Sequence, residues 1–92
     1  MTFTMVKVVA VKSLGGHRLR VAFSDGSAGE HDFADLFVEP GPMVEPLRDE
    51  AFFAQVFVEM GVLTWPNGFD MDALNLHMTM AAAGELSRDA AE

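Results

Sequence analysis

The side chains able to do chemistry are three histidines, four serines and 14 acidic residues, and their spacing limits what they could do. His31, Asp32 and Asp35, with His17 on a neighbouring strand, form the densest group of metal-ligating types. Successive strand residues point to opposite faces, so His31 and Asp32 do not converge while the strand continues. Asp32 instead reads as the cap of a following helix, and His31 as a surface or partly buried side chain. His77 has no histidine or carboxylate four residues on, so the helical ligand pair of metal-dependent hydrolases is missing, and it is expected at the surface. Ser13, Ser24, Ser27 and Ser87 fall in turns or the tail with no histidine at a triad-like spacing. Gly15-Gly16 and Gly26-Ser27-Ala28-Gly29 precede no long lysine-bearing helix and read as hairpin turns rather than a phosphate cradle. Asp25, Asp49 and Asp70 read as a turn residue and two caps. With no cysteine there is no thiolate nucleophile and no disulfide. No catalytic set, metal or cofactor is expected, and the chain reads as a non-enzyme.

Four residues remain as candidates for an interaction or ligand site: Arg48, Trp65, Asn67 and Asp70. Arg48 sits between two proline-rich turns, where a guanidinium either clamps a partner's carboxylate or ties loops together through carbonyls and an acid such as Asp70 or Asp25. Trp65 is either a core anchor beside Phe23, Phe52, Phe53 and Phe57 or, with Phe69 and the Asn67-Gly68 turn, the rim of a recognition surface.

Charge is divided along the chain. The first 24 residues carry Lys7, Lys12, Arg18 and Arg20 and no acid, giving +4; residues 25–92 set all 14 acids against Arg48 and Arg88, giving −12, and 4 − 12 is the net −8. That field repels phosphate backbones, so direct nucleic-acid binding is not expected. Lys7 and Lys12 interrupt what would be the apolar stretch of a signal peptide, and the longest run free of charge, 73–84, is too short to cross a bilayer. A cytoplasmic protein with no membrane contact is expected.

The elements that must position these residues are short. Valine-rich residues 5–13 read as a strand, Gly15-Gly16 as a turn, and 17–23 as a second strand with Leu19, Val21 and Phe23 on one face and Arg18, Arg20 and Ala22 on the other. Asp25-Gly26 signals a second turn into a third strand, 27–32, which places Glu30 and Asp32 near Arg18 and Arg20. Residues 33–38 read as a one- to two-turn helix, 43–47 as irregular or a single turn, 49–56 as a short helix, and 55–59 with 62–66 as a second hairpin. Asp70 or Asp72 caps a last helix with Met71, Leu74, Met78 and Ala81 on its apolar face; Leu76 and Met80 lie off that stripe and hint at a partner. Gly84 stops it. The fold class is α+β: an antiparallel three-stranded meander, short helices, a second hairpin and a C-terminal helix, with 1–84 one small domain and 85–92 a frayed polar tail.

In order, Leu19-x-Val21-x-Phe23-x-Asp25-Gly26, Asp32-Phe33, Pro46-Leu47-Arg48-Asp49, Phe52 or Phe53, and Trp65-Pro66-Asn67-Gly68-x-Asp70 resemble the small bacterial domain-of-unknown-function family numbered 2442, over about Val6 to His77. The resemblance implies an α+β fold with no established reaction. It also implies an arrangement similar to a toxin and antitoxin pair, since family members are often encoded beside another small protein. Some relatives carry an added helix-turn-helix; residues 85–92 are too few for one, so that role is not carried over.

The function expected is therefore a non-enzymatic protein-interaction module, an adaptor or antitoxin-like partner of another protein, with a small basic one suited to the −12 segment. Met71, Met78 and Met80 offer an adaptable apolar surface. The alternative is a small-molecule or effector-binding domain with a pocket near Arg48, Trp65, Asn67 and Asp70. A homodimer is a further expectation, because eight Phe and seven Met are many for 92 residues to hide in one copy.

Overall fold

Alternation of apolar and charged residues builds the first sheet. The computed structural model describes residues 6–39 and 41–88. Within it β1 (Val8–Gly15), β2 (Arg18–Phe23) and β3 (Ser27–Asp32) form the antiparallel meander. Leu19, Val21 and Phe23 are buried while Arg18 and Arg20 face solvent, as the period of two requires. Register pairs Arg18 with Asp32 and Arg20 with Glu30, and Arg18 Nη2 lies 3.3 Å from Glu30 Oε1. Both side chains are exposed, so this pair contributes about 0.2–1 kcal/mol.

The chain then crosses the core in short turns. Asp32 caps the helix expected at 33–38 by accepting from the Ala34 N–H at 3.0 Å, and that helix, Phe33–Val38, is of the tighter 3-10 kind. A second 3-10 turn, Glu45–Arg48, starts around Pro46 and buries Leu47. The helix expected at 49–56 shrinks to the single turn α1 (Glu50–Phe53), which buries Phe53.

The second hairpin is present as β4 (Phe57–Glu59) and β5 (Val62–Thr64). Its loop is Met60-Gly61, both at positive φ, 54° and 82°. Two such residues make the mirror-image turn that matches strand twist, where Asn-Gly is preferred; a methionine there costs about 1–2 kcal/mol. Phe57, expected beside Trp65 in the core, is instead exposed on this edge strand. Asp70, a candidate cap, lies in a third strand, β6 (Asp70–Met71), paired with β5.

Asp72 is the cap of α2 (Ala73–Ala82), its Oδ2 accepting from the Asn75 N–H at 2.9 Å. The helix faces opposite to expectation: Ala73, Leu76 and Met80 are buried, and Leu74, Met78 and Ala81 face solvent. Both stripes have helical spacing, so periodicity cannot choose between them; β6 and the Asp72 cap set the rotation. Beyond Gly84, residues 85–88 depart from the expected frayed tail. Leu86 packs on the core and β7 (Ser87–Arg88) pairs with β3, giving the order β1-β2-β3-β7. The free edge of β3 supplies the partner that composition alone could not reveal. Residues 89–92 of that expected tail lie outside the described residues.

The core joins Leu19, Val21 and Phe23 to Phe33, Leu47, Phe53, Leu63 and Trp65, closed by Leu76 and Met80. Among the described residues no helix is long and apolar enough to cross a membrane.

Candidate functional site

Arg48 ends the second 3-10 turn. Its Nε donates to both carboxylate oxygens of Glu45 at 3.1 Å, its Nη2 donates to the Phe37 carbonyl at 3.1 Å, and its guanidinium lies 5.0 Å from the Phe37 ring centre. It ties the two 3-10 turns together, with Glu45 as the acid rather than Asp70 or Asp25. Trp65 is 1% exposed and its Nε1 donates to the Phe53 carbonyl at 2.9 Å, which is the core-anchor placement. Asn67 stitches two loops, its Nδ2 donating to the Met43 carbonyl and its Oδ1 accepting from the Phe69 N–H. Asp70 is exposed on β6 opposite Thr64. Three concavities stand out on the described surface, and none of the four residues lines any of them.

The structure brings together groups that no sequence spacing announces. His77 Nε2 lies 3.0 Å from Asp25 Oδ2 and 3.4 Å from Ser27 Oγ, while Ser27 Oγ donates to Asp25 Oδ1 at 2.6 Å. These are the residue types of a nucleophilic triad, but one imidazole nitrogen faces both partners, whereas a relay holds the acid on Nδ1 and the hydroxyl on Nε2. This wiring is a clasp between α2 and the β2–β3 turn, reinforced by Arg88 Nη1 donating to the Asp25 carbonyl at 2.8 Å. With Ala81 and Leu86 these residues line a shallow concavity of about 350 Å³.

The Ser27 hydroxyl, helped by the Ser27 N–H and His77, holds the Asp25 carboxyl below its ordinary value of 3.8 despite some burial. A pKa lower in the folded state gives a contribution that is complete above the ordinary value and lost as the pH falls through the lower, folded one. Ser27→Ala is expected to raise the Asp25 pKa toward 3.8, read by NMR titration of the carboxyl carbon; an unmoved pKa would exclude the hydroxyl as its cause.

A second clasp holds the same C-terminal segment. His31 is buried, its Nδ1 lies 2.8 Å from Glu85 Oε1, and its Nε2 lies 3.5 Å from Asp35 Oδ2. Of the other residues weighed with it, Asp32 turns to the Ala34 N–H and His17 Nε2 faces the Leu47 carbonyl.

The outer surface carries two more features. Lys12 and Arg20 stand directly opposite each other on β1 and β2, flanking a concavity of about 240 Å³ with Ala10 and Ala22. Near the N-terminus of α2 a smaller one, about 190 Å³, is walled by Val6, Met60, Val62 and Leu74, with Lys7 and Asp72 among its lining. Met60 is 92% exposed, Met78 60% and Leu74 40%.

The model of a family described as a protein of unknown function, DUF2442, matches residues 8–78. The chain belongs to the DUF2442 family. No curated protein and no solved structure matches it. The matched region of this DUF2442 domain contains Met60, Leu74, Met78, Asp25, Ser27, His31 and His77. Glu85 and Arg88, which complete the two clasps, lie beyond it.

Proposed function

We propose that this DUF2442 domain is a non-enzymatic protein-interaction module of the cytoplasm, an adaptor or antitoxin-like partner of another small protein. The observation that carries this reading is the outward face of α2. Leu74 and Met78, one helical turn apart, face solvent, and Leu74 shares a pocket wall with the still more exposed Met60. An adaptable methionine-rich surface suits a protein partner, and a net charge of −8 steers a basic one toward it. The effector-pocket alternative has less support, because Arg48, Trp65 and Asn67 are engaged in the chain's own packing.

The test is co-purification of the tagged protein from its native cells beside a Leu74→Lys/Met78→Lys double variant. Both positions are exposed, so stability should change by no more than about 0.5 kcal/mol and circular dichroism should be unaltered. A stoichiometric protein partner lost in the folded variant is the expected result. A wild type that elutes alone, or a variant that keeps the partner in full, would overturn the reading.

A further inference from the structure

We propose that the Met60–Leu74 face binds the apolar side of a basic amphipathic helix from a partner protein, a proposal that rests on the interaction reading above. Met60 holds a left-handed conformation, φ 54°, in a turn that would accept asparagine more easily, and its side chain is 92% exposed. Among the described residues Met60 belongs neither to the core nor to the apolar residues packed against it. A long apolar side chain kept in a disfavoured backbone state and 92% exposed points to a role outside the fold.

The surroundings indicate what it meets. Gly61 lets the Lys7 stem cross close behind the turn, since a Cβ there would come within 3.0 Å of Lys7 Cβ. That aliphatic stem joins Val6, Val62 and Leu74 around the concavity of about 190 Å³. Met78 continues the apolar surface one turn along α2, and residues 73–82 bring no formal charge. The pocket, with Leu74 on its wall and Met78 one helical turn beyond, offers successive apolar positions for side chains at i, i+3/i+4 and i+7 of a helix. Flexible thioethers at Met60 and Met78 can repack around such a helix.

Charge selects among occupants. Glu59 precedes Met60 and Asp72 lines the pocket, with Lys7 the cation beside them. Over the whole chain the net charge is −8, so a second copy approaches against like charge and a basic helix with it.

The experiment titrates the isotope-labelled 92-residue protein with a synthetic Leu/Lys amphipathic peptide of about 15 residues, and separately with its Leu/Glu counterpart, following amide NMR shifts. The Leu/Lys peptide is expected to bind and to shift Met60, Gly61, Val62, Leu74 and Met78; the Leu/Glu peptide is not. Met60→Asn is the decisive variant. It should raise the melting temperature by about 5 °C, because the turn is relieved, while weakening the Leu/Lys peptide at least tenfold. Leu74→Lys should weaken it as well. Shifts that map elsewhere, equal binding of both peptides, an unchanged affinity in Met60→Asn, or a melting temperature that does not rise would each overturn the proposal. A concentration-dependent dimer abolished by Met60→Asn, without peptide binding, would assign the face to a second copy. A native partner lost in the Leu74→Lys/Met78→Lys variant, with no peptide binding, would overturn the basic helix and leave the interaction reading standing.

Discussion

Trp65→Ala is expected to destabilise the protein by about 3–5 kcal/mol, a cost that combines lost burial with the cavity left behind. For 92 residues at roughly 0.05–0.15 kcal/mol each, total stability is about 5–14 kcal/mol, so the variant loses a large share of it. The indole packs between two other aromatic rings. Its ring centre lies 5.5 Å from that of Phe53 and 5.6 Å from that of Phe69, and its Nε1 donates to the Phe53 carbonyl. The melting temperature should fall by about 15–30 °C in a domain of this size. Urea unfolding followed by far-ultraviolet circular dichroism measures the loss of stability, since the only tryptophan is removed by the substitution. Trp65→Phe restores most of the volume without the N–H and should lose about 1–3 kcal/mol, separating packing from the hydrogen bond. A recognition-rim tryptophan would leave stability within about 0.5 kcal/mol, and that result would reject the core placement.

The turn after Trp65 was legible in Pro66-Asn67-Gly68, whereas the indole itself could be read as a core anchor or as a recognition rim, and only the packed structure, with Trp65 1% exposed, decides for the core. The β2 alternation was legible for a similar reason: Leu19, Val21 and Phe23 leave only one face to bury, and their register brings Arg18 and Glu30 together. α2 was harder. Its two apolar stripes are equally well spaced, and periodicity announces neither the two-residue strand β6 that leads into the helix nor which stripe turns to the core. Arg48 shows the intermediate case. Its tie to a carbonyl and an acid follows from guanidinium chemistry, while the identity of the acid depends on a 3-10 turn that sets Glu45 three residues away. The clasps were out of reach, since His77 and Asp25 are 52 residues apart and His31 and Glu85 54 apart. Only the folded path of the C-terminal segment across β3 creates those pairs.

That path predicts an unusual response at Gly29. Its φ lies outside the left-handed region, so alanine meets no backbone objection, and in a strand alanine would ordinarily be no worse than glycine. Here an added Cβ would overlap the Glu85 carbonyl oxygen and come within 2.9 Å of the Glu85 carbonyl carbon. The obstacle is backbone, so it cannot swing aside as a side-chain tip would. Gly29→Ala should therefore push residues 85–88 off β3, break the His31–Glu85 contact, withdraw Arg88 from the Asp25 carbonyl and uncover Leu86. The expected cost is about 2–3 kcal/mol, or about 10–20 °C in melting temperature. Faster amide exchange at Ser87 would show that the segment has left the sheet. A double-mutant cycle isolates the cause: in a chain ended at Gly84 the same substitution meets no carbonyl and should be neutral or slightly stabilising. Equal losses in both backgrounds would place the clash elsewhere and remove the argument that Gly29 is there to let the C-terminal strand approach.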